Sequence, residues 1–291
     1  MKRSYKVVDV FTLRPLLGNP VAVVLDAEGL TTDAMQAIAG WTKLSETTFV
    51  LPPTTGEADY RLRIFTPHSE LPFAGHPTLG TAHALLEAGR VTPRQSGRLI
   101  QECSIGLVEL TVEERDGDRR LIFGLPPAKL EPLHAADIAE LELILRRKVD
   151  IKTAPAIVNV GAIWVVAQMN DATSVLDLRP DFVRLAEFER RLGVTGLTVF
   201  GSHEHGDAAI EVRTFAPSCG VEEDPVCGSG NGSVAAFQWE RGLLPSGGRD
   251  YVATQGRCVG RDGRIQVSVD ANGKVFVGGS CITCVDGSLA F

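Results

Sequence analysis

Apolar residues recur along this chain with two periods, and the switches between them mark out its elements. Tyr5-Lys-Val-Val-Asp-Val-Phe11 alternates in the period-two pattern of a strand. Gly18-Asn19-Pro20 reads as a turn before Val21-Ala-Val-Val-Leu25, whose unbroken apolar run fits a buried strand. Thr32 to Leu44 is helical, with Thr32 or Asp33 placed as N-cap and Gln36 placed for a capping box. It leads into the strand Thr47-Thr-Phe-Val-Leu51. Gly106-Leu-Val-Glu-Leu-Thr-Val112 and Leu121-Ile-Phe123 read as a hairpin turned at Asp116-Gly117. Late in the chain, Val234-Ala-Ala-Phe-Gln-Trp239 reads as a buried helix behind the glycine-rich turn Cys227-Gly-Ser-Gly-Asn-Gly-Ser233.

The same order of elements appears twice. Arg63-Ile-Phe65-Thr-Pro67 matches Arg213-Thr-Phe215-Ala-Pro217 at an offset of 150. Pro72-Phe-Ala-Gly75 matches Pro225-Val-Cys-Gly228 at an offset of 153, which also pairs Ala82 with Ala235, Glu87 with Glu240 and Gly89 with Gly242. His76 thereby takes the place of Ser229, and Ala74 that of Cys227. Asp181 to Leu192 followed by Gly196-Leu-Thr-Val-Phe200 echoes the first helix and strand. Gly263 to Val269 with Lys274 to Val277, turned at Asn272-Gly273, echoes the hairpin. The expected fold is α+β, a tandem pseudo-repeat of two domains, residues 1–127 and 128–291, each a curved, mostly antiparallel sheet around a central helix. A pseudo-twofold relation is expected to bring both glycine turns to one cleft. The polar helix from Ala136 to Arg147 is expected to be a connector.

Composition narrows the function. A net charge of −7 over 291 residues, without a dense Lys/Arg cluster, argues against nucleic acid as a partner. No apolar run reaches the ~18 to 20 residues that span a bilayer, and Asp9, Arg14 and Pro15 interrupt the N-terminal apolar segment. The expectation is a soluble, cytoplasmic protein without a membrane partner. Six cysteines are too few for a disulfide scaffold. Cys281-Ile-Thr-Cys284 is a CxxC in a strand-like tail, where thiols three apart point to opposite faces and read as structural.

Candidate chemistry concentrates at the two glycine turns. Asp224, Cys227 and Ser229 lie at the start of the second buried helix, whose first backbone N–H groups, from Gly228 to Gly230, suit an anion. Gly75-His76 opens the first, where a helix N-terminus favours a neutral imidazole. Glu46 sits at the mouth of a buried strand among apolar and β-branched neighbours, so lost hydration raises its pKa into the range of a proton shuttle. His68 looks exposed, and His83 falls on the core side of its helix. His203-Glu204-His205 lies in a glycine-bracketed turn, and two histidines make a weak site, so no metal is expected. Gly228-x-Gly230-x-Gly232 has neither the spacing nor the context of a dinucleotide loop.

Three motifs in order carry a family resemblance: Ser45-Glu46-Thr47-Thr48-Phe49-Val50; Phe65-Thr66-Pro67 with Glu70 through Thr78; and Glu223-Asp224-Pro225-Val226-Cys227-Gly228-Ser229. Together with Gly18 to Val23 they resemble the PhzF family of phenazine-biosynthesis-related isomerases, which have the diaminopimelate-epimerase-like fold. The resemblance implies a cofactor-free proton transfer on a small carboxylic acid, similar to trans-2,3-dihydro-3-hydroxyanthranilate isomerase, and a homodimer. By motif match it implies Glu46 as the shuttling base, supported by His76, Asp224 and Ser229. The glycine turns themselves add Gly75, Gly228 and Gly230 as candidates to line the substrate site.

The chain departs from that pattern at Cys227, where many members have threonine. Related racemases carry a cysteine there and a second in the other half, where this chain has Ala74. Two alternatives therefore stay open. One is an epimerase or dehydratase using Cys227 as its single thiol, with the helix N-terminus lowering its pKa. The other is a non-catalytic binder of small molecules.

Overall fold

The computed structural model describes residues 2–115 and 117–290. It divides into two compact units, Met1–Phe123 with Gly278–Phe291, and Gly124–Val277.

In the first unit, strands β1 (Lys2–Val10) and β2 (Asn19–Val24) precede helix α1 (Thr32–Thr42). Strands β3 (Thr47–Leu51), β4 (Tyr60–Phe65) and β5 (Glu70–Leu71) then lead into helix α2 (Gly75–Glu87). Strands β6 (Arg98–Cys103), β7 (Gly106–Arg115) and β8 (Asp118–Gly124) follow. The C-terminal strand, Val275–Ala290, pairs antiparallel with β1 from Lys2↔Ala290 to Val10↔Cys281 and also pairs with β8. With the β1–β2, β2–β3, β3–β4, β4–β6, β6–β7 and β7–β8 ladders this closes an eight-stranded barrel. Closure leaves β1 no open edge.

Helix α2 runs through that barrel, with His76 through Ala82, Ala84 and Leu85 all buried. The wall strand β3 is covered on both sides, which explains its unbroken run of β-branched and apolar residues. Thr81 on α2 donates to Thr48 at 2.8 Å, on the inner face. Phe49 turns outward and joins Met35, Ile38 and Ala39 of α1 in a separate core with Phe65, which meets it edge-on at 5.4 Å.

The second unit repeats the plan. Strand β9 (Lys129–Pro132) and helix α3 (Ala135–Leu145) precede β10 (Ala156–Val160) and β11 (Ala162–Gln168). Helices α4 (Ala172–Leu176) and α5 (Phe182–Leu192) lead to β12 (Gly196–Ser202), β13 (Ile210–Ala216) and β14 (Val221–Asp224). Helix α6 (Gly228–Arg241), β15 (Asp250–Gln255), β16 (Gly263–Val269) and the start of β17 (Val275–Ala290) complete it. The parallel ladders recur at the same places: β2–β3 and β4–β6 in one unit, β11–β12 and β13–β15 in the other. Even side chains repeat. Arg63 forks onto Glu70 and Arg213 onto Glu223, and each guanidinium lies about 5 Å from a phenylalanine ring, Phe65 or Phe215. The α+β pseudo-repeat expected from the sequence is therefore the architecture found.

Several expectations need correction. The final strand, expected in the second domain, completes the first barrel, because β1 needs a partner and β17 supplies it. In the second unit the corresponding partner of β10 is β9, which follows β8 in the chain. Helix α1 is capped by Thr31, whose hydroxyl accepts from Ala34 N–H at 3.2 Å, one residue ahead of the expected cap. Gln36 reaches Thr66 O instead of closing a capping box. Asn19 begins β2 opposite Val10 instead of sitting in a turn. Helix α3 is no connector: Leu141, Ile144 and Leu145 pack with Leu185 and Phe188 of α5 against Val165, Leu197 and Phe215. Asp116 of the Asp116-Gly117 turn lies outside the described residues, while Gly117 has φ +85°.

Candidate active site

In the first unit the sequence brings Glu46 and His76 together from opposite ends of three elements. Helix α1 stops at Lys43, which takes a left-handed conformation, and the chain turns through Ser45 into β3. The Glu46 carbonyl accepts from Ala22 N–H at 3.3 Å, which ties its backbone to β2. Its side chain is only 16% exposed. Burial pushes its carboxyl up to about 7, with a hydrogen bond from Ser45 pulling weakly the other way.

His76 is buried in the first turn of α2, and its Nε2 lies 3.2 Å from Glu46 Oε2. The Asn19 side-chain amide nitrogen faces Nδ1 at 3.4 Å. An amide NH2 only donates, so Nδ1 accepts and the proton of a neutral imidazole sits on Nε2. Nε2 and Glu46 Oε2 face each other at 3.2 Å without the alignment of a hydrogen bond. Pro77 follows within the first turn, where its missing N–H costs no intrahelical bond. Gly75 is required by packing: a Cβ there would lie 2.7 Å from Phe123 Cζ.

In the second unit the start of α6 gathers Asp224, Cys227 and Ser229. Gln255 organises this turn. Its Oε1 accepts from Cys227 N–H at 3.1 Å and from Asn231 Nδ2 at 2.8 Å, while its Nε2 donates to Asp224 O at 2.9 Å. Asp224 Oδ1 accepts from Val226 N–H at 3.1 Å. Ser229 Oγ accepts from Trp164 Nε1 at 3.2 Å and lies 3.6 Å from Cys227 Sγ.

Cys227 is the N-cap of α6, its sulfur accepting from Gly230 N–H at 3.3 Å. The helix N-terminus was expected to lower its pKa. Burial wins instead, and together with the nearby Asp224 charge it raises the thiol well above its ordinary value. The same contact uses the Gly230 N–H, which was expected to face an anion. Among the remaining histidines, His83 is partly buried with Nε2 3.3 Å from Thr283 Oγ1. His203 Nε2 lies 2.8 Å from Thr254 Oγ1 and 3.4 Å from the buried Glu211.

Asn19, Gln255 and Trp164 escaped the sequence reading. Asn19 lies in a recognisable Gly-Asn-Pro motif that reads as a turn. Nothing local in the sequence marks Gln255 or Trp164, which reach the turn through strand pairing.

A buried carboxyl raised to about 7, with an imidazole nitrogen 3.2 Å away, can take a proton from carbon and return it. Comparison with known proteins agrees with that chemistry. The chain is 42% identical over 98% of both lengths to a Schizosaccharomyces pombe protein called antisense-enhancing sequence 1. It is 35% identical to trans-2,3-dihydro-3-hydroxyanthranilate isomerase of Pseudomonas aeruginosa, covering 93% of this chain and 91% of that one. The structure of a predicted epimerase from Pseudomonas aeruginosa superposes over 99% of both chains with a TM-score of 0.83 at 30% identity. No described helix is long and apolar enough to cross a membrane. With residues 8–287 matching the family model, this chain belongs to the phenazine biosynthesis-like PhzC-PhzF family.

Proposed function

We propose that the protein is an isomerase that moves a proton between carbons of a small carboxylic acid, as in trans-2,3-dihydro-3-hydroxyanthranilate isomerisation. Glu46 takes the proton and returns it at a new carbon. The observation that carries this reading is its buried carboxyl, pushed up to about 7 and facing His76 Nε2 at 3.2 Å. A carboxyl with that pKa exists in both forms near neutrality, which a single-group shuttle requires. His76 steadies the carboxylate and the charge that develops on the substrate. Asp224, Ser229 and the backbone of Gly75 and Gly228 are assigned to hold the substrate's carboxylate and neighbouring heteroatoms. A cytoplasmic homodimer belongs to the same reading, and sedimentation velocity tests its oligomeric part.

The decisive experiment is incubation with trans-2,3-dihydro-3-hydroxyanthranilate and other small carboxylic acids in D₂O, scored by mass spectrometry. Wild type incorporates deuterium and Glu46→Gln does not. Full incorporation by Glu46→Gln would end the proposal. No observation favours the thiol reading, since Cys227 is buried and held protonated. Binding of these acids without any exchange would favour the non-catalytic reading.

A further inference from the structure

We propose that Trp164 is a positioning residue whose indole N–H commits the Ser229 hydroxyl to donate to the substrate carboxylate. The carboxylate's identity rests on the isomerase reading above. The placement of Ser229 does not.

An indole nitrogen can only donate. At 3.2 Å it occupies one lone pair of Ser229 Oγ, so the serine's single proton must go elsewhere. The neighbouring polar atom is Cys227 Sγ at 3.6 Å. Sulfur is a weak acceptor, and this one already accepts from Gly230 N–H. A carboxylate oxygen is a far better acceptor. Ser229 is half-buried and so within reach of a ligand, which can take the hydroxyl proton without disturbing the bond to Trp164.

The direction of the indole is set by packing. Trp164 is 4% exposed and lies opposite Gly196 across the parallel β11–β12 ladder. A Cβ at Gly196 would come within 2.7 Å of Trp164 Cζ3 and would also strike the Phe215 carbonyl oxygen. The ring therefore lies against bare backbone and cannot swing its N–H away. The first unit follows the same logic with other chemistry. There the equivalent strand, β2, sends Asn19 to His76, the residue that matches Ser229. In both units a donor from the equivalent strand, β2 or β11, fixes where the first-turn residue keeps its proton.

The test uses the whole protein, ¹⁵N-labelled. Its three tryptophans are Trp41, Trp164 and Trp239, and Trp164→Phe assigns the Trp164 indole signal by its loss. Ser229→Ala is expected to move that signal. Anthranilate, added as the carboxylate probe, is expected to shift it in wild type and not in Ser229→Ala. In kinetics, Trp164→Phe is expected to raise KM for trans-2,3-dihydro-3-hydroxyanthranilate about tenfold with kcat within about twofold, the scale of one lost hydrogen bond to an oriented donor. In the Ser229→Ala background the same change is expected to add nothing. An indole signal indifferent to Ser229→Ala or to anthranilate overturns the proposal, as do additive KM effects or a loss confined to kcat. Absence of deuterium exchange in wild type defeats the isomerase reading alone. The indole signals need no turnover and decide the role of Trp164 in either case.

Discussion

Replacing Glu46 by Gln should stabilise this protein at alkaline pH while abolishing its turnover. The folded chain holds the Glu46 proton up to about 7, whereas an unfolded chain releases it near the ordinary 4.5. Between those values the folded state binds more protons, so stability falls as pH rises, and the cost is complete above about pH 7. The difference corresponds to about 3 kcal/mol. Glutamine keeps the shape and a polar contact to His76 but carries no charge to desolvate. Urea unfolding at pH 5 and pH 8.5 reads the effect. The variant's advantage should be small at pH 5 and approach about 3 kcal/mol at pH 8.5. An advantage that is the same at both pH values, or a wild type more stable than the variant at pH 8.5, would refute the claim that burial burdens this carboxylate. Loss of deuterium exchange in the same variant makes a gain in stability coincide with a loss of function, as expected of a strained catalytic group.

Other outcomes follow from the same geometry. The rising limb of kcat/KM against pH should fall at an apparent pKa of about 7, since Glu46 must be ionised to accept a proton; a limb near 4.5 would mean a solvated base. Gly75→Ala should cost about 1–3 kcal/mol, because Phe123 is buried and braced edge-on by Phe73 at 5.7 Å and cannot yield to a new Cβ; an unchanged melting temperature would contradict that packing. Cys227→Ala should retain turnover while losing about 1 kcal/mol with its N-cap contact to Gly230. Iodoacetamide should leave wild type active, and inactivation that substrate prevents would revive the thiol mechanism.

Much of the local order is written in the chain. The repeat was visible in Arg63 to Pro67 and Arg213 to Pro217, because each Arg must pair with a Glu beyond the strand and each Phe must pack outward. Those demands are local and leave the same residues in both halves. The glycine turns were equally legible, since a helix N-terminus packed this closely tolerates few side chains at Gly75. Glu46 stood out because a carboxylate beside a run of buried β-branched residues has few ways to stay hydrated.

Only the tertiary structure decided the rest. The sequence placed the final strand with its neighbours in the chain, but the need to close β1 into a barrel sends Val285 to Ala290 back to residues 2–7. That demand is non-local and leaves no mark on the strand itself. The protonation of Cys227 likewise depended on balance: a helix N-terminus lowers a thiol pKa, burial and Asp224 raise it, and burial is known only after folding. Asn19 and Trp164 meet His76 and Ser229 through strand register, across 57 and 65 residues of chain. Composition and spacing picked out the candidate groups. Where their protons reside is set by neighbours that only the folded sheets bring within 3.5 Å.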